Sequence, residues 1–293
     1  MKYSAVFLLL LYLILSACSR QATPEKIITV TIEPQKFFAD RLVDSVFEVE
    51  VMVPAGVSPE TYDPTPVQMT KLAKSMAYFK VGNLGFEEAW MDKIASNNPG
   101  LRIFDTGEDI SFIIMDDHDC DHDESEEEHF HRHVGIDPHT WTSPKQALII
   151  VDNMYKALIE LDPENEPRFT SNFRKLHREI IQTDSIITGL LAKAPHKSFI
   201  IYHPALSYFA EDYKLQQYSI EIEGKTPAPS QLKKLIDTAR KEQVKVIFIQ
   251  EEFDKKNAEI IAKETGCKTV VINPLSYDWD KEMIRIAQVL ANE

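Results

Sequence analysis

Five of the nine histidines lie between His118 and His133, within His118-Asp-Cys-Asp-His-Asp-Glu-Ser-Glu-Glu-Glu-His-Phe-His-Arg-His133. A sixth, His139, follows in Asp-Pro-His-Thr-Trp. Imidazole, thiolate and carboxylate are the groups that hold divalent cations. His118, Cys120 and His122 alternate, as do His129, His131 and His133. In an extended chain that alternation puts the side chains on one side. The segment is charged and poor in apolar residues, so it carries no core of its own. It reads as an auxiliary metal-binding loop, as a solvated acidic loop, or as a loop up to His133 joined to a fixed ligand at His139.

Other candidate ligands stand at places where the chain leaves a strand. Glu60 sits in a stretch holding Pro54, Pro59, Pro64 and Pro66, a stiff loop directly after the apolar run Phe47–Val53. His203 ends the run Ser198–Tyr202, and Asn273 follows Thr269–Ile272. His139 lies just before Ser143-Pro144-Lys145-Gln146, which has the marks of a capped helix start. Each has a duller explanation. A histidine after a strand is often structural, Glu60 suits a solvated loop, and Asn-Pro starts turns. As a set, imidazoles and carboxylate suit a divalent metal, zinc above all.

The elements that must position these residues follow one rhythm. Runs rich in β-branched and aromatic residues occur at Ile27–Ile32, Phe47–Val53, Ala77–Val81 and Leu101–Phe104. They recur at Ser198–Tyr202, Tyr218–Ile222, Val244–Ile249 and Thr269–Ile272. Helical stretches such as Phe86–Ala95, Gln231–Lys241, Lys255–Thr265 and Lys281–Leu290 alternate with them. Strand and helix in alternation predict an α/β protein with parallel sheets, whose ligands bind beyond the carboxyl ends of strands. From Asp162-Pro163-Glu164 to about Ala192 the pattern predicts one helix spanning about 40 Å. It reads as a stiff connector, so the expected organisation is a lobe over 24–161 holding the loop 116–133, a helix over 162–193 and a lobe over 194–293. The alternative is a single α/β domain with one long surface helix.

Composition narrows the partners. The net charge is −14, and no basic patch is visible, so nucleic acid is not an expected partner. Met1-Lys2 and the apolar run Ala5–Leu15 read as a targeting segment over 1–17, too short to span a bilayer. Removing it takes away Lys2 and moves the charge from −14 to −15. The run ends in Leu15-Ser16-Ala17-Cys18, which resembles the bacterial lipoprotein processing box, so Cys18 is the expected lipidation site and a lipid bilayer an expected partner. The remaining Cys120 and Cys267 cannot make a disulfide framework. No coiled-coil seam is visible, and a monomer is expected.

Several stretches resemble the periplasmic metal-binding lipoproteins of bacterial zinc and manganese ABC importers. GVSPETYDPTP (56–66) is similar to that family's first ligand loop, DPHTWTSP (137–144) to its second and YHPALSYFA (202–210) to its third. EIEGKTPAPSQL (221–232) matches a neighbouring stretch, and AKETGCKTVVINPLS (262–276) the fourth ligand segment. The resemblance runs from about residue 28 to 290. It implies two α/β lobes, each built on a parallel sheet of about four strands, joined by a rigid backbone helix with metal in the cleft. It also implies a receptor that passes Zn2+ to a membrane permease and its ATPase. His139 and His203 match the family's ligands. Glu60 stands where histidine is usual, and Asn273 where aspartate is frequent. The harder ligands admit Mn2+ or iron as the alternative cargo. A His- and acid-rich loop before the second ligand is frequent in the zinc importers, which implies a zinc role for 116–133.

Two rivals come from other classes. A zinc hydrolase would use Glu60 or Glu223 as base, but the chain holds no His-Glu-x-x-His, Gly-x-Ser-x-Gly or P-loop. A surface adhesin would use metal only to hold the lobes. For a receptor, neutral histidines predict an affinity that falls on acidification through roughly pH 6.5 to 5. The stiff connector predicts small lobe tilts on metal release.

Overall fold

A computed structural model describes residues 26–115, 135–221 and 227–293. The segment 1–17, Cys18, the loop ligands His118, Cys120, His122, His129, His131 and His133, and Glu223 lie outside the described residues.

The first sheet holds β1 (Ile27–Val30), β2 (Glu48–Val51), β3 (Ala77–Lys80) and β4 (Arg102–Asp105), all parallel, in the order β2-β1-β3-β4. Strand β1 is buried along its whole length, as a central parallel strand must be. Helices α1 (Glu33–Val43), α2 (Pro66–Leu72) and α3 (Gly85–Asn97) connect the strands. The proline-rich loop ends in a capping box, because the Thr65 hydroxyl accepts the Gln68 N–H while Gln68 Oε1 accepts the Thr65 N–H. Strands β5 (Ile114–Met115) and β6 (Gly135–Ile136) pair antiparallel on either side of residues 116–134.

Ser143 caps α4 (Pro144–Leu161), its hydroxyl accepting the N–H groups of Lys145 and Gln146 at 3.1 and 3.3 Å. After a short 3-10 turn comes α5 (Glu166–Leu191), 26 residues long and therefore about 39 Å. The second sheet holds β7 (Ser198–Ile201), β8 (Gln216–Ser219), β9 (Val246–Gln250) and β10 (Lys268–Ile272) in the order β10-β9-β7-β8, again all parallel. Its helices are α6 (Ser207–Asp212), α7 (Pro229–Lys241), α8 (Lys256–Thr265) and α9 (Trp279–Asn292). Two four-stranded parallel sheets with a long helix between them make the two-lobed α/β fold that the sequence leads one to expect.

The lobes share one core. A single buried cluster runs from Ile28 and Phe79 of the first sheet through Leu176 and Ile180 of α5 to Phe199 and Phe248 of the second. Helix α5 packs on α1, α4 and α9. The C-terminal helix α9 returns to the first lobe, where buried Trp279 meets Phe37 and Phe38 at ring-centroid distances of 5.9 and 5.0 Å. A separate cluster around Ile200, Ile247 and Ile249 fills the other face of the second sheet. Both sheets reverse their winding direction, between β1 and β3 and between β7 and β9. Such points open a crevice at the carboxyl ends of the strands. Among the described residues no helix is long and apolar enough to cross a membrane.

Candidate metal centre

His203 leaves β7 at the switch point of the second sheet. Gln250, at the end of neighbouring β9, holds its backbone on both sides. Gln250 Nε2 donates to the His203 carbonyl at 2.7 Å, and Gln250 Oε1 accepts the His203 N–H at 3.3 Å. The His203 ring stacks on Phe253 with centroids 5.4 Å apart and planes 16° from parallel. His139 sits in the turn before α4. Asp137 Oδ1 accepts its backbone N–H at 2.9 Å and lies 2.8 Å from its Nδ1. Asp137 is fully buried, and its carbonyl accepts the Tyr208 hydroxyl at 2.7 Å.

The two imidazoles meet in the cleft with their Nε2 atoms 3.2 Å apart. Each ring has a carboxylate behind it: Asp137 on His139 at 2.8 Å, Glu221 on His203 at 3.4 Å. A carboxylate at Nδ1 keeps the proton there and leaves the Nε2 lone pair free for a metal. Zn–N bonds of about 2.0–2.1 Å in a tetrahedral shell put two nitrogens about 3.3 Å apart. The observed pair already has the length of one edge of that tetrahedron. Burial opposes a charged His139, but the Asp137 charge and hydrogen bond outweigh it, with Glu60 and Glu252 adding to them, and its pKa is raised. Burial likewise opposes the Asp137 carboxylate, yet His139 holds its pKa below the usual value.

The cleft around the pair is open to solvent on one side and is lined by Glu60, Trp141, Gln250, Glu252, Phe253 and Leu275 among others. Glu60 Oε2 accepts the Gly85 N–H at 3.2 Å, at the start of α3. Glu60 Oε1 is shielded from solvent and has no hydrogen-bond partner among the described residues. An unmatched carboxylate oxygen of this kind costs about 1–3 kcal/mol, which a cation in the cleft would offset. Asn273, expected beside these residues, instead closes a turn. Its Oδ1 accepts the Leu275 N–H at 3.0 Å, and its own N–H donates to Glu282 at 2.7 Å. Its neighbours Pro274 and Leu275 line the cleft instead. Among the described residues no three His, Cys, Asp or Glu side chains are drawn into a closed metal shell. Two imidazoles are in place, and carboxylates wait on the walls.

Two indoles close the back of this site. Trp141 Nε1 donates to the Pro274 carbonyl at 2.9 Å, and Trp279 Nε1 to the Trp141 carbonyl at 2.6 Å. They tie the His139 turn to the second lobe and to α9.

A family model described as zinc-uptake complex component A, periplasmic (ZnuA), matches residues 28–290. The chain belongs to this family. It is 28% identical over 282 residues to the zinc-binding lipoprotein AdcA of Streptococcus pneumoniae strain R6, covering 94% of this chain and 55% of that protein. The chain thus spans about half the length of the AdcA relatives it matches. It is also 28% identical to the high-affinity zinc uptake system protein ZnuA of Bacillus subtilis, with 94% of this chain and 89% of that one covered. A crystal structure of ZnuA superposes with a TM-score of 0.83 at 32% identity, over 91% of this chain and 98% of that one.

Four residues of this ZnuA-family cleft were not singled out from the sequence: Asp137, Glu221, Gln250 and Glu252. Each carried a signal. Asp137 stands two residues before His139. Glu221 follows β8, while Gln250 ends β9 and Glu252 lies just past it, where ligands of parallel sheets gather.

Proposed function

We propose that this chain is an extracytoplasmic receptor that captures Zn2+ in the interlobe cleft and delivers it to the permease of an ABC importer, anchored to a bilayer through Cys18. The single observation that carries this is the facing pair of Nε2 atoms, 3.2 Å apart and backed by Asp137 and Glu221. The names of the AdcA and ZnuA relatives agree with zinc as cargo. His139 and His203 are the two nitrogen ligands, and Glu60 supplies a carboxylate by swinging off the Gly85 N–H. The loop histidines His118, His122, His129, His131 and His133, with Cys120, hold further zinc loosely. The protein does no chemistry on the metal.

A second reading, a manganese or iron receptor, is favoured by the carboxylates Glu60 and Glu252 on the cleft walls. The test is competition of Zn2+ and Mn2+ against a chelator of known affinity, on the purified chain. One tight zinc site lost in His139→Ala and in His203→Ala, and kept when 116–133 is deleted, is the expected result. Equal competition by manganese would establish the second reading. A tight site that survives both histidine substitutions would overturn the assignment.

A further inference from the structure

We infer that Glu252 is a ligand of the captured cation, contributed by the second lobe, where the Asn273 side chain accepts the Leu275 N–H. The inference rests on the cleft being the metal site. Glu252 lines the cleft with His139, His203 and Glu60. It follows β9 directly, and His203 follows β7, so the two flank the winding reversal of the second sheet. That is the place where an open parallel sheet binds its ligand. Its neighbour Phe253 stacks on the His203 ring, which holds the segment against the metal pair.

Among the described residues the Glu252 carboxylate has no ion pair and no hydrogen bond to another side chain, although it is half-buried. Burial raises its pKa, while the nearby His203 and His139 pull the other way. The full set is two nitrogens and two carboxylates, harder than a histidine-only site, so Glu252 sets how far manganese can compete.

The test compares Zn2+ and Mn2+ competition binding to the wild-type chain, Glu252→Gln and Glu252→Ala, with metal-free melting of each. X-ray absorption of the zinc-loaded wild type and Glu252→Ala counts the imidazole and oxygen ligands. The expected result is zinc binding weaker by about tenfold or more in both variants, a larger loss for manganese, one oxygen ligand fewer in Glu252→Ala, and unchanged metal-free melting. Zinc affinity within twofold of wild type, or an unchanged oxygen shell, overturns the inference. A wild-type chain without a tight divalent site would overturn the receptor reading instead, and the two failures are thereby told apart.

Discussion

His139 and His203 are 64 positions apart in the chain, yet their Nε2 atoms stand 3.2 Å from each other. The orientation of each ring comes from what lies behind it. Asp137 reaches His139 Nδ1 at 2.8 Å, and Glu221 reaches His203 Nδ1 at 3.4 Å. The shorter contact is the stronger orienting one. Asp137→Asn therefore weakens zinc binding by about 10- to 100-fold, and Glu221→Gln by less. Competition titration at constant pH reads both. An Asp137→Asn affinity equal to wild type would show that Trp141 and the turn alone orient His139.

Gly85 tests how Glu60 is held. A Cβ at Gly85 would lie 2.4 Å from the Glu60 carbonyl oxygen and 3.0 Å from its Oε2. Backbone has to move to relieve the first contact, and the Phe86 N–H to Pro59 carbonyl bond of 3.0 Å moves with it. Gly85→Ala is expected to displace the Glu60 loop and weaken zinc binding by about tenfold. In Glu60→Ala the same glycine substitution adds little, because it acts through the side chain already removed. Additive losses in the double variant would place Gly85's effect elsewhere.

Local patterns in the sequence carried most of the framework. Seven of the eight long strands overlap the apolar runs closely; the central strands β1, β3, β7 and β9 are buried almost throughout and read as continuous hydrophobic residues, while the edge strands β2, β4 and β10 are partly exposed and are marked by their β-branched and aromatic residues. Strand β8 (Gln216–Ser219) begins in two glutamines and lies earlier than the run Tyr218–Ile222, since an edge strand needs no apolar run. The pair β5–β6 has two residues a side, too few for any period to show. The Ser143 cap was legible because its signal is local. The approach of His139 to His203 depends on the Trp141 and Trp279 indole bonds between distant segments, and no local pattern encodes it. Asn273 is a case where two local readings, ligand and turn starter, fit the same Asn-Pro pair; its side chain accepts the Leu275 N–H, the turn use.

Glu87 gives the fold a pH dependence of its own. It is buried in the first lobe, accepts the N–H groups of Val81 and Gly82 at 2.7 Å each, and bonds the Thr31 hydroxyl. Burial outweighs these bonds and raises its pKa from 4.5 to about 7. The folded chain therefore keeps a proton that the unfolded chain releases between those values, and stability falls as pH rises through this window. The loss is on the order of 3 kcal/mol. Glu87→Gln cannot ionise, so between pH 5 and pH 8 the variant gains stability relative to wild type. Urea melts of metal-free protein at both pH values measure the difference, and parallel pH slopes would contradict it.

Trp279 bears on how the cleft opens. The lobes share one buried cluster, and α9 carries Trp279 back against Phe37 and Phe38, with its indole bonded to the Trp141 carbonyl. Wide rotation would expose this aromatic contact, a cost comparable to deleting it, about 3–5 kcal/mol. Release of zinc is thus expected to proceed by movement of the Glu60 and Glu252 segments, with the lobes nearly fixed. Small-angle scattering of wild-type protein should show almost the same radius of gyration with and without zinc. In Trp279→Ala the metal-free form should become larger and the zinc-loaded form less so, because the cation then holds the two lobes where the indole did. A large metal-dependent change already present in wild type would mean that the shared core does not restrain the lobes.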